Sequence, residues 1–264
     1  MRFGRIAHPD GMSFAVIDGD QDLIAKEVEG TPFTAPAYTG REWPLADVKL
    51  LAPMLPGKVV AIGRNYADHV AEVFKESAEH LPPTLFLKPS TAVVGPGNPI
   101  RIPDFATKVE FEGELAVVVS KPCKNVKAAD WKSVVLGFTI VNDVSSRDLQ
   151  FADGQWARAK GIDTFCPLGP WIETDIDSVN LDSLPIKARL THEGQTALKQ
   201  DSNSDQMIMK MGEIIEFITA SMTLLPGDVI CTGSPAGTAA MSPGDFIEIE
   251  IPGIGKLGNP VARA

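Results

Sequence analysis

The sequence predicts a mostly β protein with some α-helix. Three observations carry this reading: short apolar runs recur along the chain, glycine and proline interrupt them at close intervals, and few stretches hold a helical period. With 23 glycines and 21 prolines in 264 residues, long helices have little room. A hydrophobic content of 44% is enough to bury a sizeable core, as one large domain or a large one with a small companion.

Charge narrows the function classes. Against 24 Lys and Arg stand 34 Asp and Glu, a net charge of −10, which argues against a nucleic-acid or anionic-membrane surface. An anionic substrate must then be met by locally placed cations. No stretch approaches a membrane span, and the opening residues lack the apolar run of a secretory signal. Cys123, Cys166 and Cys231 are widely spaced and form no CxxC pair, so a cytoplasmic location without a disulfide framework is expected.

Residues 1–57 read as a small β-rich N-terminal domain and linker, and residues 58–264 as the main domain. Strand-like runs at 3–7, 13–17 and 23–28 are separated by turns, Asp18-Gly19-Asp20 among them. Pro32, Pro36, Pro44, Pro53 and Pro56 then predict a loop running over the surface. His8, between an apolar run and Pro9, is expected on the surface.

The main domain opens with a buried strand at 58–63. After it, residues 67 to about 80 are good helix formers without Gly or Pro, and His69 and Glu72 fall three apart on one helical face. A carboxylate beside an imidazole can orient it and support its protonated form, which makes a general base. The plainer possibility is a solvated helix carrying a chance His/Glu pair. Glu76, Glu79 and His80 suggest a mobile, lid-like surface helix. The stretch 82–90 reads as a strand ending in Lys88, either a site cation or a solvated strand-end charge, and a proline turn, with further Gly/Pro turns after it.

At 109–119 alternating acids run into an unbroken apolar segment, as in a buried strand with acidic teeth. Residues two apart in a strand share a face, so Glu110, Glu112 and Glu114 can project together. Crowded buried carboxylates need a cation, and oxygen-only donors suit Mg²⁺ or Mn²⁺; otherwise the run is an acidic edge facing water. An apolar strand at 134–141 delivers Asp143 at its end, a candidate third ligand. If a helix starts near Ser145, Arg147 and Gln150 share its face and suit carboxylate recognition, unless Arg147 merely closes a salt bridge. The Gly- and Pro-rich segment 156–171 reads as a loop holding Lys160, whose ammonium can stabilise an enolate or oxyanion. Cys166, without a base in its motif, reads as structural.

A hairpin at 181–205 turns at Glu193-Gly194, and 206–222 reads as an amphipathic helix burying Met207, Ile208, Met211, Ile214, Ile215 and Ile218. The strand before Thr232, Gly233 and Ser234 ends in a small-residue loop whose hydroxyls and amides suit an anion. Gly253, Gly255 and Gly258 match the spacing of a dinucleotide-binding fingerprint, but too little chain follows for the βαβ unit it requires.

Taken together and in this order, GRNYADHVAE, LFLKPSTAVVGPG, FEGELAVVV, VNDVSSRDLQ, WARAKGIDTFCPLGPWI, LLPGDVICTGSPAGT and IPGIGKLGNPV resemble the fumarylacetoacetate hydrolase superfamily over residues 58–264. The resemblance implies a mixed β-sandwich or rolled β-barrel catalytic domain, a preceding small N-terminal domain, and a homodimer. It implies Glu112, Glu114 and Asp143 as ligands of Mg²⁺ or Mn²⁺, with Glu110 outside the set. His69 and Glu72 would activate water from a lid, Lys160 would act near the metal, and Arg147, Gln150, Thr232, Gly233 and Ser234 would contact substrate. The implied activity is C–C bond cleavage in a small anionic 2-oxo dicarboxylic acid or acylpyruvate through a metal-bound pyruvate enolate, as oxaloacetate decarboxylation or acylpyruvate hydrolysis. Isomerisation of 2-hydroxyhepta-2,4-diene-1,7-dioate in aromatic catabolism is the alternative. A protein of another class, keeping the fold to bind without turnover, is disfavoured because dyad, triad and Lys160 are all present.

Overall fold

The computed structural model describes residues 1–75, 77 and 83–264. Strands β1 (Arg2–His8), β2 (Gly11–Asp18) and β3 (Ile24–Glu29) form an antiparallel ladder. The segment expected as a surface loop instead contains β4 (Ala37–Pro44), paired with β3, and β5 (Lys49–Leu51), paired with β1. Its proline is tolerated because β4 lies at the edge of the sheet, where a missing N–H breaks no inner ladder. His8 is not the surface side chain expected either. It is 2% exposed and stacks on Trp43 with ring centroids 4.4 Å apart, because β4 brings that ring over it.

Strand β6 (Val59–Gly63) leads through Arg64, Asn65 and Tyr66 into α1 (Ala67–Phe74), which ends at Lys75 in the left-handed region, φ 58°. The expected extension of this helix, with Glu76, Glu79 and His80, lies outside the described residues. Next come β7 (Thr84–Lys88), β8 (Val93–Val94), β9 (Ile100–Ile102), β10 (Val109–Glu110), β11 (Gly113–Val119) and β12 (Val135–Asn142). After β13 (Ser145–Ser146), α2 (Arg147–Asp153) and α3 (Ala157–Lys160) precede β14 (Cys166–Glu173). The hairpin β15 (Pro185–His192) and β16 (Gln195–Asn203) turns at Glu193 and Gly194, both at positive φ as a two-residue turn of this hand requires. The chain closes with α4 (Met211–Ser221), β17 (Val229–Cys231), β18 (Phe246–Ile251) and β19 (Gly255–Arg263). The three late glycines thus belong to a β18–β19 turn and its strand, and no helix follows them.

The large sheet runs β4-β3-β2-β1-β14-β12-β11-β17-β6-β7, and a second sheet runs β16-β15-β18-β19-β9. Strand β11 explains why its sequence is apolar along its length after Glu114. Leu115, Val117 and Val119 enter the core shared with Ile186, Ile249, Leu257 and helix α4, while Ala116 and Val118 enter a second core with Val59, Leu168 and Val229. A strand covered on both faces has no polar side to alternate with. Helix α4 begins at Met211 rather than at 206, because the amides of Ile208 and Met209 are engaged by Asn65, and Ile208 is left 49% exposed. Among the described residues no helix is long and apolar enough to cross a membrane.

Candidate metal and catalytic site

Between β10 and β11 the chain leaves the ladder for two residues, and backbone bonds fix the departure. The Glu112 amide donates to Asn142 Oδ1 at 3.0 Å, and the Asp143 amide donates to the Glu112 carbonyl at 2.8 Å. These bonds bring the entry of β11 against the exit of β12. Glu112, Glu114 and Asp143 are buried, and one carboxylate oxygen from each lies within 4.8 Å of the others.

Cations surround this triad unequally. Lys160 Nζ is 2.7 Å from both Glu112 Oε2 and Asp143 Oδ2, and Lys88 Nζ is 2.5 Å from Asp143 Oδ1. Arg147 places Nη2 2.6 Å from Glu112 Oε1 and Nε 2.7 Å from Glu110 Oε2. Among the described residues Glu114 receives only the Gly233 amide, at 2.7 Å. Burial, reinforced by the charges of Asp143 and Glu112, therefore pushes the Glu114 carboxyl well above its usual range. Burial acts on Glu112 in the same sense, yet Lys160, Arg147 and His69 outweigh it and hold that carboxyl well below. Three convergent buried oxygen donors, one of them with no lysine or arginine among the described residues bonded to it, fit a hard divalent cation such as Mg²⁺ or Mn²⁺. Glu110 stands apart from this set, bound to Arg147 and Lys108.

Helix α1 lays His69 against the acids. Its Nε2 is 3.7 Å from Glu112 Oε1 and its Nδ1 is 3.7 Å from Glu72 Oε2, and the ring is buried. Burial disfavours the imidazolium, but the two carboxylates prevail and raise the imidazole above its ordinary pKa. Glu72 in turn accepts the Gly237 amide at 2.9 Å, tying α1 to the loop after β17. Asn65 fixes the start of the helix by donating to the Thr232 carbonyl at 2.8 Å and accepting the Met209 amide at 2.7 Å.

The remaining expected residues divide by what they face. Arg147, Gln150, Lys160 and Ser234 line a cleft with the triad and His69, and Arg147 Nη1 donates to Gln150 Oε1 at 2.8 Å. Lys160 is not in a loop but is the last residue of the short helix α3. The Thr232 hydroxyl is turned to the Leu115 carbonyl, 2.9 Å away, and the Gly233 amide to Glu114, so both brace the β11–β17 seam. The Cys166 thiol is buried and pushed up to about 12, which leaves it inert as a nucleophile.

Four participants are not assigned by the sequence. Lys88, for which the sequence leaves two roles open, is fully buried on Asp143. Arg64, directly after β6 in the same motif as His69, lines the cleft, as does Trp156. Gln200 is wholly buried; its Oε1 accepts the Gly113 amide at 2.9 Å, and its Nε2 donates to Ser234 Oγ and the Pro235 carbonyl. The motif position could have pointed to Arg64, whereas nothing local marks Gln200.

Comparison with known proteins agrees with this architecture. The family model described as fumarylacetoacetate (FAA) hydrolase C-terminal matches residues 58–262, and one described as Rv2993c-like, N-terminal matches residues 1–53. The chain is 52% identical to Protein Rv2993c of Mycobacterium tuberculosis, over 100% of this chain and 98% of that protein. It is 38% identical to the mitochondrial oxaloacetate tautomerase fahd2 of Xenopus laevis, over 82% of this chain and 69% of that protein. Among solved structures, Cg1458 with inhibitor superposes with a TM-score of 0.99 at 82% identity, covering 100% of both chains. The 2-hydroxyhepta-2,4-diene-1,7-dioate isomerase of Mycobacterium marinum gives 0.90 at 50% identity, over 100% of this chain and 98% of that one. Maleylpyruvate hydrolase from Sphingobium sp. SYK-6, in complex with manganese(II) and pyruvate, gives 0.80 at 29% identity over 100% of both. The mostly β fold with its N-terminal unit and the match over most of its length agree: the chain belongs to the fumarylacetoacetate hydrolase family.

Proposed function

We propose that the protein is a divalent-cation-dependent enzyme that breaks a C–C bond in a small anionic 2-oxo acid, by hydrolysing an acylpyruvate or decarboxylating oxaloacetate. The observation that carries this is the placing of a buried histidine between the carboxylate of Glu72 and the buried acid triad. Its relatives include proteins named as a hydrolase of maleylpyruvate and a tautomerase of oxaloacetate. Glu112, Glu114 and Asp143 would hold the cation, which when bound supplies Lewis acidity toward the 2-oxo acid.

The chain's own groups supply the rest. Arg147 and Gln150, joined by a hydrogen bond and lining the cleft, orient the substrate carboxylate. In hydrolysis, His69 takes a proton from water as the water oxygen bonds to the acyl carbon, and Glu72 stabilises the imidazolium. The C–C bond then breaks, its electron pair passes to a pyruvate enolate, and protonation yields pyruvate and a carboxylic acid. Lys160 places its positive charge where enolate charge grows. Decarboxylation of oxaloacetate releases the same enolate with CO₂ and needs no attacking water. The same reading has the protein act as a homodimer.

This division of labour is testable with the manganese-loaded protein. His69→Ala is expected to lower acylpyruvate hydrolysis by roughly 10²–10⁴-fold and oxaloacetate decarboxylation much less. Equal losses in the two would contradict it. A second reading, keto–enol exchange of oxaloacetate or isomerisation of a hydroxydienoate, is favoured by the same pair, because moving a proton along the substrate needs only one such relay. Following the oxaloacetate enol by absorbance separates them: exchange without release of pyruvate would favour the second.

A further inference from the structure

The buried cations around the triad are answered by the protein's own carboxylates. Lys160 is held by Glu112 and Asp143, Lys88 by Asp143, and Arg147 by Glu110 and Glu112. Arg64 is different. It lines the same cleft, yet no described residue accepts a hydrogen bond from it, and its Nε is buried without a partner. Its guanidinium carbon instead lies 4.7 Å from the centre of the Phe74 ring.

The surroundings of Arg64 are built rather than incidental. It holds φ at 66°, a region uncommon for residues other than glycine, at the turn between β6 and α1. The next residue is fastened on both sides, Asn65 to Thr232 and Met209, so the turn is fixed from the far side of the chain. An aromatic wall stands beside it: Phe74 stacks on Trp156 at 5.9 Å and 15°, and Trp156 meets Phe86 edge-on at 5.3 Å. Gly63 makes room for that wall, since a Cβ there would fall 2.4 Å from Trp156 Cζ3. A guanidinium stacked on an aromatic ring by one face, with no described acceptor along its N–H edge, is poised for a planar anion, and a carboxylate matches its fork.

We propose that Arg64 is a specificity residue that takes the second carboxylate of the substrate, the one remote from the 2-oxo acid end, so that the cleft selects 2-oxo dicarboxylates over 2-oxo monocarboxylates. The inference rests on the reading above that the 2-oxo acid end is held at the acid triad. A residue that only propped α1 through Phe74 would favour neither substrate class.

Binding of unreactive probes tests this apart from turnover. Calorimetry of the manganese-loaded protein with 2-oxoglutarate and with pyruvate is expected to show tighter binding of 2-oxoglutarate. In Arg64→Met that preference should shrink by about tenfold or more, and Arg64→Lys, which keeps the charge but not the fork, should restore part of it. Should Arg64→Met not fold, a preference in Arg64→Lys smaller than in the wild type supports the assignment, and an unchanged one overturns it. Equal wild-type affinities, or a loss of the same factor for both probes in Arg64→Met, overturn it as well. Turnover of acetylpyruvate and oxaloacetate is measured separately. Its absence with the binding preference intact would sink the reaction proposed above and leave Arg64 assigned, and turnover without any preference would do the reverse.

Discussion

Among the described residues, Glu114 is the triad carboxylate that neither lysine nor arginine bonds. Its neighbours Glu112 and Asp143 each have an ammonium within hydrogen-bond reach, whereas Glu114 has one backbone amide. A bound divalent cation would offset both the burial and the repulsion from Asp143 and Glu112 that raise its carboxyl. Glu114→Ala is therefore expected to weaken Mn²⁺ binding by about 100-fold or more in titration calorimetry. Unchanged affinity would remove Glu114 from the ligand set. At this scale the helical period already put His69 beside Glu72, whereas the strand period offered Glu110 together with Glu112 and Glu114, and the break between β10 and β11 sets Glu110 apart with Arg147. Lys88 and Arg64 were less legible. A strand-end lysine reads alike whether it meets water or Asp143, and Arg64 is marked by having no hydrogen-bond acceptor among the described residues.

Among elements, β11 was legible as a buried strand, since its unbroken apolar run is too short for a core helix and too apolar for a solvated loop. The short helix around Lys160 was not, because four residues between glycines and prolines carry no period. The role of the β15–β16 hairpin was equally hidden. From β16, Gln200 crosses 87 positions of sequence to Gly113, the residue between Glu112 and Glu114, and also holds the Ser234 hydroxyl. One side chain thus joins the metal strand, the loop after β17 and the second sheet. Gln200→Ala leaves the buried Gly113 amide without its acceptor and takes from the Pro235 carbonyl one of its two donors, the Ser234 hydroxyl being the other. It is expected to destabilise the protein by about 1–3 kcal/mol in urea unfolding, and to weaken Mn²⁺ binding besides. Loss of stability with unaltered metal affinity would restrict Gln200 to a packing role.

Across the whole molecule, the sequence separates residues 1–57 from the rest by their proline-rich stretch, and chain order alone cannot show which strands come to lie side by side. In the structure β1 pairs with β14, the Thr174 amide donates to the Met1 carbonyl, and the N-terminal ammonium meets Glu173 at 2.6 Å. The apolar contacts follow the same course: Ile6, Ala15, Ile17 and Ala25 bury Trp171, and Phe3, Val16 and Val28 join Leu168 and Ile172 in one core. Elements that share a ladder and a core unfold together. The full chain is accordingly expected to melt in a single transition seen alike by calorimetry and by tryptophan fluorescence. Deleting residues 1–57 would strip the partner from the β1 side of β14 and bare the Trp171 face, an unprotected strand edge beside apolar surface. That truncated protein should aggregate or melt well below the parent, even though it keeps every residue of the acid triad, His69 and Glu72. Two separate transitions in the full chain, or a soluble truncation with the parent's melting temperature and Mn²⁺ affinity, would show instead that the N-terminal strands rest on the main sheet without supporting it.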